Sequence, residues 1–519
     1  MLRWFLIFIC TFSALSIYAQ GTDFVQVRSM IDRGLERVED DCVIEAVLVS
    51  AADHPNTMEN EQISFDFVNL SAGRRAGYFH SKDGGLGLMI HFDKVAALKK
   101  IPRFATVRLN LKGAGLGKVN GIGYAVYGLQ ESSILSVEKG SGENAFVEEK
   151  TLSELTDEDV FTLVRVKDLE FVFKDGALLN VYELAVQKSR INSGCGPQGR
   201  MDGWAGLLCD GEGTPFYYLM NTGVAWRRDG TGVPQGHGTI EGIIVPQTDM
   251  SRYGGKVLGR YQIRPLGKSA FCFEDTPVWR TVAEWNWNDN VQEIHTSEGD
   301  LKSVTYNKIL SDKGEGLMYF NTGGEIVRFR DMNNPQLVND KNDRNWRGYL
   351  QYGALSVRCP SSNWWNWSSD QGKGLYMAVT TENMKGTHLL LGFTFAAGQC
   401  SPFQVKGCPA SWKVEFSLDG KNYARASSES IALRSLPWSP GEVNGTRYLT
   451  SKDAGVGFTE HLVKLPAFLL GRKLIYIRIV PEDKSALTLA YEGGFNGSLH
   501  PQDKSATAVN FGTVKLMYR

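Results

Sequence analysis

Three tryptophans crowd together at Trp364, Trp365 and Trp367, set among Asn363, Asn366 and Asp370 in the run SSNWWNWSSD. No aliphatic residue separates them. Flat indoles beside short amide and carboxylate side chains can stack on the apolar face of a sugar ring while their neighbours bond its hydroxyls. The same letters also suit a sandwich corner, where large, mostly buried indoles cap the core. A second chemical candidate is NDKNDRN, in which Asp340, Asn342 and Asp343 offer three hard oxygens of the kind calcium takes. It lacks the order of an EF-hand loop and its terminal Glu, so a solvated loop explains it too. Acid pairs for glycosidase chemistry could be drawn from Glu284 with Asp289, or Glu298 with Asp300, but a chain with 57 acidic residues offers such pairs by number alone.

Other reactive signatures are missing. There is no GxSxG, no HExxH and no CxxC, and the eight histidines are scattered. His80 and His91 lie symmetrically about the turn near Gly85, which could face them across a hairpin, with no third metal ligand in reach. The run Gly113 to Lys118 (GAGLGK) has glycines like a phosphate loop but not its spacing, so a barrel turn is expected there.

Composition gives no overall field and so argues against non-specific nucleic-acid binding. The chain carries 56 basic against 57 acidic residues; residues 20–150 hold 15 and 18, residues 151–275 hold 13 and 16. Aromatics such as Tyr78, Phe79, Tyr217 and Tyr218 could stack on bases, but that slightly acidic balance makes nucleic acid an unlikely partner.

Residues 1–20 read as a signal peptide: Arg3, a mostly apolar run from Trp4 to Leu15, and Ile17-Tyr18-Ala19 before Gln20. Cys10 sits inside the apolar run rather than after it, which argues for secretion over lipidation. No later stretch is long and apolar enough for a membrane helix. The expected location is therefore periplasmic, cell-surface or extracellular. Removing Cys10 leaves seven of the eight cysteines, an odd number. Cys400 and Cys408 bracket a short loop with Pro402 and Gly407, and Cys195 and Cys209 bracket a Gly-rich one; both suit bridges in an oxidising compartment.

The elements that must position these residues read as strands almost throughout. After a helix expected over 27–38, with Val27, Ile31, Leu35 and Val38 on one face, period-two patterning marks strands over 43–50, 76–80, 86–92, 105–111 and 124–129. The order then repeats: a short capped helix over 152–159, then strands over 161–169, 214–220, 223–227, 238–245 and 259–265, with Tyr124 and Tyr261 in equivalent places. Two small barrels are expected, 21–148 and 149–275, joined by the Gly-, Ser- and Glu-rich segment 140–148, the second able to fold alone.

On these residues the chain resembles a known family. The runs GTIEGIIVPQTDMSRYGGKVLGRYQIRPL (238–266), GGLGLMIHF (84–92) and ATVRLNLKGAGLG (105–117) resemble a tandem OB-like domain family of unknown function in exported Bacteroidetes proteins. The resemblance covers about half the chain and implies an extracytoplasmic protein, with no catalytic residue to carry over. The first copy departs from the pattern in a long polar insert, His54 to Gln62.

Residues 276–519 shift composition, opening on the Trp- and Asn-rich segment 279–290, and predict a jelly-roll type β-sandwich of strands without intervening helices. The hairpin WKVEFSLDGKNYARA (412–426) resembles that of galactose-binding-like, discoidin-like modules, although Asp419-Gly420 is a tight-turn dipeptide that explains the letters without a ligand. The fold class expected is all-β, two tandem OB-like barrels and one sandwich. The function expected is non-catalytic binding of a glycan or another cell-surface polymer, with no cofactor beyond calcium. A secreted hydrolase of nuclease or phosphodiesterase type and a structural or adhesion protein are the alternatives.

The cysteine spacing sets a first test. Peptide mapping of non-reduced protein recovered from an oxidising compartment is expected to yield Cys400 joined to Cys408, since a loop of this length can hold the two Cα atoms at the roughly 4.4 to 6.8 Å a bridge requires. Recovery of both thiols free would overturn the pairing.

Overall fold

The computed structural model describes residues 23–52, 54, 56, 75–82, 84–140, 146–174, 205–219, 224, 231–246, 259–286, 309–321, 325–328, 355–358, 374–397, 411–432, 439–443, 446–450, 459–482 and 508–519. Its class is the all-β one expected, with small barrel-like units followed by a sandwich. The stretches 1–22, 329–354, 359–373 and 398–410, which hold the signal peptide, the calcium candidate, the tryptophan run and both Cys400 and Cys408, lie outside the described residues.

The first unit opens with helix α1 (Phe24–Asp32), capped by Asp23, whose carboxylate accepts from the Gln26 amide at 2.8 Å. Phe24, Val27 and Ile31 are buried at helical spacing over the barrel floor. The helix ends earlier than expected, at Asp32, and Gly34 follows with φ +79°, so Leu35 is exposed rather than on the buried face. Strands β1 (Val43–Leu48), β2 (Ala76–His80), β3 (Gly87–Phe92), β4 (Thr106–Asn110), β5 (Gly115–Val119), β6 (Gly123–Leu129) and β7 (Ile134–Glu138) make one seven-stranded sheet in the order β5-β6-β3-β2-β1-β4-β7. Alternation does the sorting: on β4, Val107 and Leu109 enter the core while Arg108 faces out.

The second unit consists of β8 (Glu148–Lys150), β9 (Leu163–Phe171), β10 (Ala205–Cys209), β11 (Pro215–Leu219), β12 (His237–Pro246), β13 (Tyr261–Arg264) and β14 (Phe271–Phe273). Strand β12 pairs with both β13 and β9, so β9-β10-β11-β13-β12 returns on itself as a closed ring. Apart from the added parallel pairing of β8 with β9, the pairings match those of the first unit: β1, β2 and β3 correspond to β9, β10 and β11, each with a parallel partner on the third strand, β6 or β13. The ten-residue β12 corresponds to β4 plus β5, which the turn at Gly113 (φ +82°) separates. GAGLGK is thus a barrel turn entering a strand, as expected.

Each copy also carries the same fastening. Tyr124 and Tyr261 both stand one residue before the first parallel pairing. The Tyr124 hydroxyl donates to Asp32 at the end of α1 at 3.0 Å, and Lys118 joins that carboxylate at 2.6 Å. The Tyr261 hydroxyl donates to Asp157 at 2.6 Å, and Arg260 bonds the same carboxylate at 2.6 and 2.7 Å. Lys118 and Arg260, respectively, are the main reason that Asp32 and Asp157 stay below the usual carboxylate range. In the second copy the helix is replaced by two short 3-10 turns, Leu152–Glu154 and Asp157–Asp159, each closed by a capping box.

Two strand expectations need correction. The hairpin partner of β11 is β10, which precedes it, while the strand expected over 223–227 lies, except for Val224, outside the described residues. Reading Cys209 as the end of a bridged loop hid β10: Cys209 is a free, fully buried thiol facing the barrel core, so it makes no bridge to Cys195. His80 and His91 are not opposite each other either, because the register pairs Ala76 with His91 and His80 with Gly87.

The barrels lock through Phe161. This buried residue of the second unit has φ +71°, and its ring stacks on Tyr78 of the first at 5.2 Å. A Cβ on Gly87 would lie 2.4 Å from the Val160 carbonyl oxygen, and one on Gly123 would lie 2.7 Å from the Phe161 ring. Both glycines are therefore seats for the wedge. Asn56, within the polar insert of the first copy, donates its amide to the carbonyls of Leu219 at 2.9 Å and Pro265 at 2.6 Å in the second. The apolar cluster of the second barrel runs on into Val47, Tyr78 and Met89 of the first and into Leu390 and Met517 of the sandwich. Apolar packing is thus continuous across the limits expected near 148 and 275.

The sandwich contains two seven-stranded sheets. One is centred on Ala508–Tyr518, which pairs with Arg280–Trp285, Leu355–Arg358 and Leu389–Ala397; the last of these also pairs with Thr459–Leu465. The other runs through Ile309–Leu310, Gly316–Asn321, Gly374–Val379, Ile475–Pro481, Ser411–Ser417 and Ala424–Arg425. A ribbon of Ser439–Val443 with Thr446–Thr450 stands apart. Trp285 and Trp412 are fully buried between the layers. Sequence patterning missed Ala508–Tyr518 altogether and read Arg280–Trp285 as part of a Trp- and Asn-rich segment.

Two outcomes follow from this packing. Phe161→Ala is expected to cost about 3–5 kcal/mol and Gly87→Ala roughly 1–3 kcal/mol in urea unfolding, with the double variant costing less than the sum; unchanged midpoints would remove the wedge from its place in the fold. His91, whose ring stacks on Tyr127 at 4.9 Å, is lowered by burial, and secondarily by Arg75, from 6.5 to about 4. Between those values the unfolded chain binds the extra proton, so this contribution is complete above pH 6.5 and is lost as pH falls toward 4, on the order of 3 kcal/mol in all. His91→Phe should flatten that part of the stability profile measured by thermal melts.

Candidate functional site

On the outer face of the second sandwich sheet, register lines up a row of chemically capable side chains. Tyr319 pairs with Tyr376, Tyr376 with Arg478, Arg478 with Glu415, and Glu415 with Arg425. The alternate positions Met318, Met377, Ile477 and Ile479 turn into the core. The row is thus the polar side of strands whose other side is apolar.

The rings and charges interlock. Tyr319 stacks on Tyr376 at 5.2 Å, and Tyr423 meets Tyr376 edge-on at 6.0 Å. The Arg478 guanidinium lies 4.0 Å from the Tyr423 ring centroid and donates to the Tyr376 hydroxyl at 3.1 Å. It also grips Glu415 through two nitrogens, at 2.6 and 2.5 Å, and Lys413 reaches the other Glu415 oxygen at 2.7 Å. Burial lowers the Arg478 pKa, but the bonds to Tyr376 and Glu415 outweigh it and leave it raised. Burial pushes the Tyr319 and Tyr423 phenols up, and neighbouring tyrosines push Tyr423 further. Both remain neutral hydroxyls at physiological pH. Tyr319, Tyr423 and Tyr476 are half-buried, whereas Tyr376 and Glu415 are buried.

The hairpin 412–426 delivers Tyr423. Gly420 adopts φ +72°, and the Asp419 carboxylate accepts from the amides of Lys421 and Asn422 at 2.8 Å each and from the Ser417 hydroxyl at 2.8 Å. Those bonds hold its pKa far below the usual carboxylate range. The turn is therefore self-sufficient, as its letters suggested.

Elsewhere the sequence candidates separate. Trp364, Trp365, Trp367, Asn363, Asn366 and Asp370, like Asp340, Asn342 and Asp343, fall outside the described residues. Tyr78, Phe79, Tyr217 and Tyr218 are buried in the barrels and offer no face to a base. Trp279 and Trp285 are architectural: their indoles donate to the Asp210 carbonyl at 3.1 Å and the Ile309 carbonyl at 3.2 Å. Glu284 is buried against Lys313 at 3.2 Å and Lys515 at 3.7 Å, while Asp289, Glu298 and Asp300 lie outside the described residues. Among the described residues no group of three His, Cys, Asp or Glu could hold a metal ion, and no helix is long and apolar enough to cross a membrane. The tyrosine and arginine row went unread, because nothing in one strand's letters states which residue of the next lies beside it.

What the row can do chemically is bind. Half-buried aromatic rings beside a guanidinium held in place by Glu415 and Tyr376 suit a ligand with apolar faces and hydroxyls.

Neither a protein-family profile nor a curated protein matches the chain. Among solved structures it superposes on the cleaved K3 adhesin domain of Lys-gingipain from Porphyromonas gingivalis w83 at 15% identity and TM-score 0.17, over 32% of this chain and 73% of that one. It also superposes on the CBM22-1 and GH10 modules of endo-1,4-beta-D-xylanase 10B from Clostridium thermocellum, complexed with xylohexaose, at 12% identity and TM-score 0.16, over 32% of this chain and 22% of that one. A CBM4 structure gives 10% identity and TM-score 0.16, over 32% and 83%. At scores this low the superpositions say nothing of ligand or chemistry for this chain.

Proposed function

We propose that this is an exported, non-catalytic binding protein that recognises carbohydrate or another cell-surface polymer through the tyrosine-rich outer face of its sandwich. The observation that carries the reading is the cross-strand row of Tyr319, Tyr376, Arg478 and Glu415 with Tyr423 beside it. It combines stacking surfaces and charge-assisted hydrogen bonding on a rigid sheet. Trp364, Trp365 and Trp367, with Asn363, Asn366 and Asp370, are a second stacking surface in this proposal; their run ends shortly before Gly374–Val379, the strand that carries Tyr376. Asp340, Asn342 and Asp343 are proposed as an accessory calcium site. The matched pairings of the two barrels support the resemblance to the tandem OB-like family, and with it export. Domain limits at 148 and 275 belong to the same proposal.

Single substitutions Tyr319→Ala, Tyr423→Ala, Trp364→Ala, Trp365→Ala and Trp367→Ala separate binding from architecture. Loss of an open stacking ring is expected to weaken retention on immobilised polysaccharide about tenfold or more with little change in melting, whereas loss of a buried ring costs about 3–5 kcal/mol of stability. If every variant melts lower and none selectively loses retention, the face is architectural and the reading fails.

A further inference from the structure

The polar insert of the first barrel meets the second through a histidine turn. His54, half-buried at the joint, accepts the Asn56 amide on Nδ1 at 3.1 Å. A backbone N–H can only donate, so Nδ1 carries no proton while this bond stands. The ring also bonds the Leu266 backbone of the second barrel, which makes Nε2 the protonated nitrogen that donates there. Asn56 is the pin this turn presents. It is fully buried, its side chain bonds the Leu219 and Pro265 carbonyls, and Arg264 of β13 donates to its backbone carbonyl at 3.3 Å. The His54 amide, donating to the Ala51 carbonyl at 3.1 Å, ties the turn back toward β1.

The charges packed around the ring favour its neutral form. Arg103, just before β4, donates to the Val49 carbonyl at 3.0 Å and disfavours a positive His54. From the second barrel come Arg264, at Asn56, and Glu241 of β12, which acts on Arg103 and is itself paired with Arg165 at 2.8 Å. Burial first, and Arg103 in addition, hold His54 below the usual 6.5 against the raising effect of the Leu266 bond. The contribution of this turn is therefore complete above pH 6.5 and is lost as pH falls through the lower folded value.

We propose that the His54 turn is an acid-sensitive latch on the joint between the two barrels. A proton on Nδ1 sets one N–H against another, the turn opens, and Asn56 withdraws from the Leu219 and Pro265 carbonyls. Hydrogen exchange of the full chain, read by mass spectrometry at about pH 7.5 and about pH 5 and corrected for the chemical exchange rate, tests it. The segments around Asn56, Leu219 and Leu266 are expected to exchange about tenfold faster or more in acid, while Thr106–Asn110 of the first barrel keeps its protection. His54→Asn supplies a carbonyl that can accept from the amide two residues on and does not titrate, so its acid sensitivity should disappear; His54→Ala, with no acceptor, should exchange fast at both pH values. Equal loss of protection over Thr106–Asn110 would mean global unfolding and would overturn the latch. So would a wild type that exchanges alike at both pH values, or a His54→Asn chain as acid-sensitive as the wild type. Nitrogen NMR of the wild-type imidazole needs no variant: Nδ1 unprotonated at neutral pH, and protonated over the range in which exchange rises, supports the latch, whereas Nδ1 protonated at neutral pH overturns it.

Discussion

The joint between the two barrels depends on one residue, Phe161, whose ring sits over Gly123 and whose backbone sits over Gly87. Phe161 belongs to the second barrel by sequence and to the first by contact, and it pays for its place with a left-handed backbone. Burial of that ring, the Tyr78 stack and the Asn56 bonds fix the angle between barrels that would otherwise meet through a polar linker. From there the packing passes through the second barrel to Leu390 and Met517 of the sandwich, so orientation set at Phe161 is transmitted to the far unit. Dense interiors carry displacement in this way because there is little free volume to absorb it.

The two barrels show how one pairing scheme tolerates different chains. A nine-residue helix closes the first and two 3-10 turns close the second, yet in both a tyrosine on the parallel strand reaches back to an aspartate that a neighbouring cation also holds. The first copy breaks its long strand at Gly113 where the second keeps β12 whole. Ring closure therefore passes through a covalent turn in one case and through hydrogen bonds on both sides of one strand in the other.

Much of this was legible before any coordinates. Alternation in stretches such as TVRLN and YIRIV announces half-buried strands, and the Tyr124 and Tyr261 equivalence was readable from their place in the repeat. Ala205–Cys209 escaped because its two leucines are flanked by glycine and cysteine letters that read as loop and bridge. Ala508–Tyr518 escaped because it follows a long polar stretch and its partners lie far off in sequence. The tyrosine row was illegible for a deeper reason: its members stand on strands far apart in sequence, and only the register within one sheet makes them a surface.

Register at such distances also sets an order of events as the chain is made. Both barrels are complete by Phe273, but Arg280–Trp285, which opens the sandwich, has a short early neighbour in Lys313–Gly314 and finds its longer one in Ala508–Tyr518. Until Thr459–Leu465 exists the Leu207 amide and the Tyr217 hydroxyl lack the Glu460 oxygens they bond in the finished molecule, and until Ala508–Tyr518 exists the barrel's apolar flank lacks Met517. Pairings separated by so much chain close slowly, and open strand edges recruit other chains in the meantime. The nascent molecule thus passes through a period in which two finished barrels carry a long β-rich tail whose central strand is still missing, and the yield of native protein depends on how well that tail is kept apart from its copies.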